Sequence, residues 1–215
     1  MEILKVNPDN LRESASAIER AIEVIRCGGV VACPTDTTYG LIADATDENA
    51  VNRLFKIKKR PITKAIPVVI NNIELAKKIA FIDERTADVL KMVWPGAVTV
   101  ILQHKFKLPE LITAGTGTVA LRIPDYKLIY FLTETMGKPL TATSANISGQ
   151  QPTYSAEEVI NQFDREGYQP NLILDAGILK HSKPSTILDL STNEPKIRRV
   201  GLVDRDTLFE ILNIK

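Results

Sequence analysis

Between Leu11 and Gly40 the chain reads LRESASAIERAIEVIRCGGVVACPTDTTYG, and its hydrophobic pattern changes twice. Leu11, Ala15, Ile18, Ile22 and Ile25 recur at steps of four and three, the spacing of one buried stripe on an amphipathic helix. Asp9 or Asn10 is placed to cap its start, and Gly28-Gly29 stops it. The apolar run Val30–Cys33 then reads as a buried strand, and Pro34–Gly40 as a polar, threonine-rich turn just past it.

The same alternation continues outward. Asp47 caps a second helix with Ala50, Val51, Leu54 and Phe55 inward, which ends in a basic run before Pro61. Ile66–Ile70 is a strand. Helices follow over Ile73–Ile79 and Glu84–Val93, the second closed by Trp94-Pro95-Gly96. Ala97–Leu102 and Thr118–Ile123 are strands. Asp125 opens a helix to Met136, and Leu140–Thr143 is a short strand leading into the loop Ser144–Tyr154. Ser155 and Glu158 have the spacing of a capping box. Strands over Leu172–Leu174, Thr186–Leu190 and Lys196–Val200 precede a last helix started by Asp204 or Asp206. Alternating strands and helices predict an α/β fold around a twisted, mixed sheet flanked by helices, with residues 1–215 as one domain.

Composition removes several function classes. With 44% hydrophobic and 25% charged residues among 215, the chain can bury a proper core. A net charge of +1 offers no global attraction to nucleic acid or membrane, so any such binding must be local. The one basic cluster is Lys56, Lys58, Lys59, Arg60 and Lys64, which is also what a solvated helix C-terminus looks like. Cys27 and Cys33 fit no metal or disulfide spacing, and Met1–Lys5 has no signal-peptide h-region. Both point to a reduced, cytoplasmic protein with no membrane span. There is no GxxxxGK[ST] phosphate loop and no GxGxxG fingerprint, and two histidines leave little room for a metal site or serine triad.

Four short segments carry the chemistry. On the strand Thr118–Ile123, Val119, Leu121 and Ile123 face one way while Thr118, Ala120 and Arg122 face the other. Arg122 therefore needs either a buried carboxylate partner or an anionic ligand in a cleft. Ser144 and Asn146 leave a strand end on the same side, placed either to bind phosphate or metal-bound water or to close an Asx-type turn. Lys58 and Arg60 splay in a turn limited by Pro61 and match a polyphosphate. The hydroxyls of Pro34–Gly40 suit a small polar substrate, or simply a hydrophilic turn.

Their order is more specific than any one of them. Pro34-Thr35-Asp36-Thr37-Thr38-Tyr39-Gly40-Leu41, then Lys58-Lys59-Arg60-Pro61, then Trp94-Pro95-Gly96-Ala97-Val98-Thr99, then Val119-Ala120-Leu121-Arg122-Ile123-Pro124, then Thr143-Ser144-Ala145-Asn146-Ile147-Ser148-Gly149, then Lys183-Pro184-Ser185-Thr186-Ile187-Leu188-Asp189-Leu190 resembles the YrdC-like family of threonylcarbamoyl-AMP synthases. The resemblance spans about Ser14 to Gly201. It implies a concave, positively charged cleft. It also implies formation of L-threonylcarbamoyladenylate and pyrophosphate from L-threonine, bicarbonate or CO2, and ATP, for modification of tRNA position 37.

By that resemblance Lys58, Arg60, Ser144 and Asn146 hold the ATP phosphates with Mg²⁺ and are the catalytic set. Thr35, Arg122 and Ser185 hold L-threonine, with Arg122 on its carboxylate. Thr118 and Arg199 are further nucleotide contacts. No protein ligand to the metal is implied. The partners implied are a downstream tRNA threonylcarbamoyl transferase complex and tRNA or double-stranded RNA.

The sequence departs from the pattern at Ile62-Thr63-Lys64-Ala65-Ile66, where other members have an acidic residue and Asn-Pro-Leu. It departs again at Arg198-Arg199-Val200-Gly201, where two arginines compete for one role. The chain stops too soon after this motif to hold the second domain some relatives carry. Two other readings stand beside the synthase: a non-catalytic RNA-binding module, and a carbamoyl-adenylate-forming domain related to hydrogenase maturation. Two isolated cysteines argue against the latter, since the related protein carries zinc-finger-like cysteines.

Overall fold

The structure, a computed structural model, describes residues 1–192 and 194–212. The α/β class holds, and the strands divide into two mixed sheets. The first contains β1 (Glu2–Lys5), β2 (Val31–Pro34), β3 (Tyr39–Ile42), β8 (Thr143–Ser144) and β9 (Leu172–Asp175), in the order β1-β9-β2-β3-β8. The second contains β4 (Val68–Val69), β5 (Val98–Gln103), β6 (Thr118–Arg122), β7 (Leu140–Thr141), β10 (Thr186–Asp189) and β11 (Lys196–Arg199), in the order β11-β10-β5-β6-β4-β7.

Two apolar cores explain why the strands do not simply alternate. In β2, Ala32 joins the larger core with Leu41, Val68, Val100 and Leu121, while Val31 and Cys33 turn the other way. There they meet Ile18, Ile22 and Ile25 of α1 (Ala15–Arg26) and Leu128, Ile129 and Leu132 of α6 (Lys127–Met136). A strand covered on both faces is apolar at every position.

Several boundaries follow local chemistry as read. Asp47 accepts from the N–H groups of Asn49 and Ala50 at the start of α2 (Glu48–Lys58). The helices α3 (Ile73–Ile79) and α4 (Glu84–Val93) begin at Asn72 and Asp83, whose side chains cap them. Ser155 accepts from Glu158 N–H to open α7 (Ala156–Phe163), and Asp204 accepts from Thr207 N–H to open α8 (Arg205–Leu212).

The structure corrects others. The first helix starts at Ala15, with neither Asp9 nor Asn10 capping it. Ser14 Oγ is engaged by Asn7 N–H, so residues 11–14 form a turn, and Ala15 is exposed. Asp125 does not cap α6, whose first turn has no side-chain cap. β1, β3 and the short helix α5 (Glu110–Thr113) are additional to the sequence reading. The Leu140–Thr143 strand is two strands: β7 pairs with β4 in the second sheet, and β8 pairs with β3 in the first. The chain changes sheets at Ala142, and this crossover forms one wall of the cavity described next. Among the described residues no helix is long and apolar enough to cross a membrane.

Candidate active site

A cavity of about 390 Å³ lies where the two sheets meet. Its floor is apolar, with Ile42, Val69 and Ile129. Its polar lining includes six of the nine residues singled out in the sequence: Thr35, Arg60, Arg122, Ser144, Ser185 and Arg199. Asp36 adds the carboxylate against the three arginines.

The sequence motifs dock on one another to build it. Arg122 sits at the end of β6, only 8% exposed. Its Nε donates to Gly96 O at 2.8 Å and its Nη2 to Asp36 Oδ2. Gly96 is tied to the same strand end by Gly96 N–H to Ile123 O. Both alternatives for Arg122 thus hold partly: it has a buried carboxylate partner and it lines a cavity. Guanidinium offers five N–H donors, and these two bonds leave the Nη1 edge available. Burial weakens the hold of Arg122 on its proton, and Asp36 offsets only part of that. Burial pushes the Asp36 carboxyl above the usual range, against the pull of Arg122.

Thr35 closes the β2–β3 turn. Its hydroxyl donates to Thr38 O at 2.7 Å and accepts from the N–H groups of Thr37 and Thr38. Gly40 has no side chain because a Cβ there would press on Thr35 Cγ2 at 3.1 Å and on Thr143 O at 3.4 Å. Ser185 Oγ lies 2.9 Å from Thr99 Oγ1, and Arg199 Nη2 donates to Ser185 O at 2.9 Å. The glycine of the late motif has the same kind of cause: a Cβ on Gly201 would overlap the backbone of Pro184 and Ser185. The competition between the two late arginines is resolved by geometry. Arg199 lines the cavity, while Arg198 Nη2 pairs with Asp189 Oδ2 at 2.8 Å.

The basic run does not act as one patch. Lys56 Nζ lies over the Tyr168 ring at 5.3 Å and Lys59 pairs with Glu166 at 2.7 Å, both away from the cavity. Arg60 enters the cavity wall and staples its own loop, donating to Lys64 O and Ala65 O at 2.9 and 2.6 Å. Lys58, expected on the surface, is 1% exposed. Its Nζ donates to Ser144 O at 2.5 Å, Asn146 O at 2.8 Å and Asn146 Oδ1 at 3.2 Å. An ammonium has three donors and all three are used. Burial, with Arg60 adding, lowers its pKa to about 7, and the three oxygen acceptors match the protonated form.

Ser144 Oγ and Asn146 Oδ1 are in contact, and Asn146 Nδ2 donates to Gln150 O at 2.6 Å. The loop therefore closes on itself while resting on a buried cation. Thr118 is not brought to the cavity. It lies at the far end of β6, bonded to Thr116 Oγ1 at 3.0 Å. Four residues of strand put it about 13 Å from Arg122 along the same sheet face.

Sequence reasoning missed two contributors. Asp36 stands inside the first motif, and its place in the cavity is set by a partner 86 residues away. Tyr39, fully buried, donates to Gly177 O and accepts from Ala176 N–H, both at 2.9 Å, and so fixes the start of the loop that carries Ser185.

A family model described as Sua5_yciO_yrdC, telomere recombination, matches residues 23–201. The chain belongs to this family. A threonylcarbamoyl-AMP synthase of Pyrococcus abyssi is 37% identical over 206 residues, covering 94% of this chain and 60% of that protein. One of Photorhabdus laumondii is 35% identical over 185 residues, covering 85% of this chain and 96% of that protein. The crystal structure of P. abyssi Sua5 complexed with L-threonine superposes with a TM-score of 0.88 at 33% identity, covering 98% of this chain and 61% of that one. The chain thus spans about 60% of the archaeal relative's length and nearly all of the bacterial one's.

The donor set also bears on a metal. Asn146 Oδ1 already accepts from Lys58 and contacts Ser144, and the carboxylate of Asp36 is paired with Arg122. Among the described residues these oxygens are already engaged, and no group of three or more His, Cys, Asp or Glu is placed to hold a metal ion.

Proposed function

We propose that the chain is a threonylcarbamoyl-AMP synthase, a nucleotidyltransferase of the cytoplasm that forms L-threonylcarbamoyladenylate and pyrophosphate from L-threonine, bicarbonate or CO2, and ATP. The observation that carries this reading is the convergence of Arg60, Arg122 and Arg199 with the hydroxyls of Thr35, Ser144 and Ser185 in one cavity. Family membership and relatives named for that activity support it.

The reaction joins anions. The threonine ammonium gives up one proton to solvent, the free amine adds to CO2 and loses a second proton to give a carbamate, and a carbamate oxygen attacks the α-phosphorus of ATP as pyrophosphate leaves. No covalent nucleophile is required, so positioning and charge neutralisation carry the rate. Arg122 offers its Nη1 edge to the threonine carboxylate, and Thr35 and Ser185 line the part of the cavity beside it. Arg60 and Arg199 neutralise phosphate oxygens. Lys58 acts from behind: its charge is spent on the carbonyls of the Ser144–Asn146 loop, which fixes that loop and adds positive potential to it. When bound, Mg²⁺ supplies further neutralisation of the phosphates.

The product is an activated intermediate for the tRNA modification and is consumed by a downstream tRNA threonylcarbamoyl transferase complex. Pyrophosphate release tests the reading. It is expected to require L-threonine and bicarbonate together with ATP, and release that ignores threonine contradicts it.

A further inference from the structure

Among the described residues Asp36 is the one cavity-lining carboxylate, and its environment is unusual. It sits at the tip of the β2–β3 turn, where the neighbouring Thr35 hydroxyl locks the backbone. Oδ2 accepts from Arg122, and Oδ1 is buried with no hydrogen-bond partner among the described residues. A buried polar atom left unpaired is disfavoured, and where a native fold keeps one it calls for an explanation in function. A carboxylate has room for about four hydrogen bonds and Asp36 receives one from a side chain. Its neighbour Arg122 has the converse surplus, an unused Nη1 edge. In one small cavity the pair therefore sets a carboxylate short of donors beside a guanidinium edge short of acceptors, two groups of opposite charge.

An α-amino acid carries that same pattern inverted: a carboxylate and an ammonium on adjacent atoms. We propose that Asp36 and Arg122 together read the substrate as a zwitterion, Arg122 taking the α-carboxylate and Asp36 the α-ammonium. Oδ1 is buried, so the ammonium meets the second lone pair of Oδ2, or Oδ1 after rotation about χ2. That torsion is broad in aspartate and interchanges the two oxygens. The Asp36–Arg122 contact persists in the complex, because each group keeps part of its hydrogen-bonding capacity for the other. Selection against other anions follows. A carboxylate without an amine leaves Asp36 unpaired beside it, and a site built for a polar group rejects a ligand that lacks it. This assignment rests on the amino-acid substrate of the proposed function and adds a residue that discriminates within it.

Calorimetric titration of the full chain with L-threonine, with 2,3-dihydroxybutyrate (a hydroxyl in place of the amine) and with L-threoninol (no carboxylate) tests it. The wild type is expected to bind L-threonine more than about tenfold tighter than either analogue. The nearly isosteric Asp36→Asn keeps a bond to Arg122 and loses the charge. It is expected to lose the preference for threonine over the dihydroxy acid while still rejecting threoninol. If Asp36 merely props Arg122, the variant loses affinity for threonine and the dihydroxy acid alike, which overturns the assignment. So does a wild type that binds both equally, a measurement needing no variant. A wild type that binds no L-threonine at all removes the substrate, and the proposed function falls with it.

Discussion

Replacing Lys58 by methionine keeps the length of a buried side chain and deletes its ammonium. Three oxygens then lose their donor: Ser144 O, Asn146 O and Asn146 Oδ1, now held at 2.5, 2.8 and 3.2 Å. Hydrogen bonds to charged groups contribute about 1.5–3 kcal/mol each, and acceptors left buried cost about 1–3 kcal/mol. Part of this is offset because Lys58 no longer has to be desolvated, so a net loss of about 3–5 kcal/mol is expected. For a chain of this size each kcal/mol lowers Tm by about 2–4 °C, which predicts a fall of about 6–20 °C. The assay is a melting curve by calorimetry or circular dichroism at pH 7.5, with ATP titration at a temperature where both proteins are folded. ATP affinity should fall as well, because the Ser144–Asn146 loop loses its anchor.

A sign with pH follows. The Lys58 pKa is lowered to about 7 in the fold from 10.5, so the unfolded chain binds that proton more tightly between those values. Stability linked to Lys58 therefore rises with pH across that window, and the Tm gap between wild type and Lys58→Met should widen from pH 7 to pH 9. A Tm within about 2 °C of wild type at every pH would refute the buried, three-bond geometry.

The other expectations follow from the cavity wall. Arg122→Lys removes the fork that holds Gly96 O and Asp36 at once, so L-threonine affinity should drop more than about tenfold while ATP affinity barely moves; unchanged threonine affinity with a lowered Tm would make Arg122 purely structural. Arg199→Ala should weaken nucleotide binding by about 1.5–3 kcal/mol, whereas Arg198→Ala, which breaks only the partly exposed pair with Asp189, should leave it intact; calorimetric titration with ATP separates them, and the reverse result inverts the assignment. L-2-aminobutyrate, which lacks only the threonine hydroxyl, should turn over far more slowly than L-threonine in a pyrophosphate assay, and equal rates would place the hydroxyl outside any polar contact.

Much of the fold is legible locally because its helices are capped where the chain says so. Asp47, Asn72, Asp83 and Ser155 each begin a helix through a side-chain bond two or three residues long, a signal within one turn. What is lost are features set by distant partners. Tyr39 and Gly40 read as the tail of a polar turn, yet Tyr39–Ile42 is a buried strand because β2 and β8 flank it. The run Leu140–Ser144 has no break in composition, and only pairing with β4 on one side and β3 on the other splits it at Ala142. Asp9 and Asn10 have capping chemistry, but Ser14 taken up by Asn7 N–H moves the helix start beyond them.

The site divides the same way. The residue types were visible in the motifs, and geometry decides their use. Lys58 reads as a surface cation at a helix end, and becomes a buried anchor through contacts 86 and 88 residues away. Asp36 and Arg122 are likewise 86 residues apart, so a sequence that raised a buried carboxylate for Arg122 could not say which one. Thr118 shares the strand face of Arg122 by period, but the cavity ends before it.

Mass spectrometry of the products formed by the purified chain from ATP, L-threonine and 13C-bicarbonate with Mg²⁺ tests the central claim most directly. The expected product is a nucleotide whose mass is that of L-threonylcarbamoyladenylate carrying the 13C label, formed in step with pyrophosphate and absent when threonine is left out. Pyrophosphate with an unlabelled adenylate, or no adenylate of threonine at all, would contradict it.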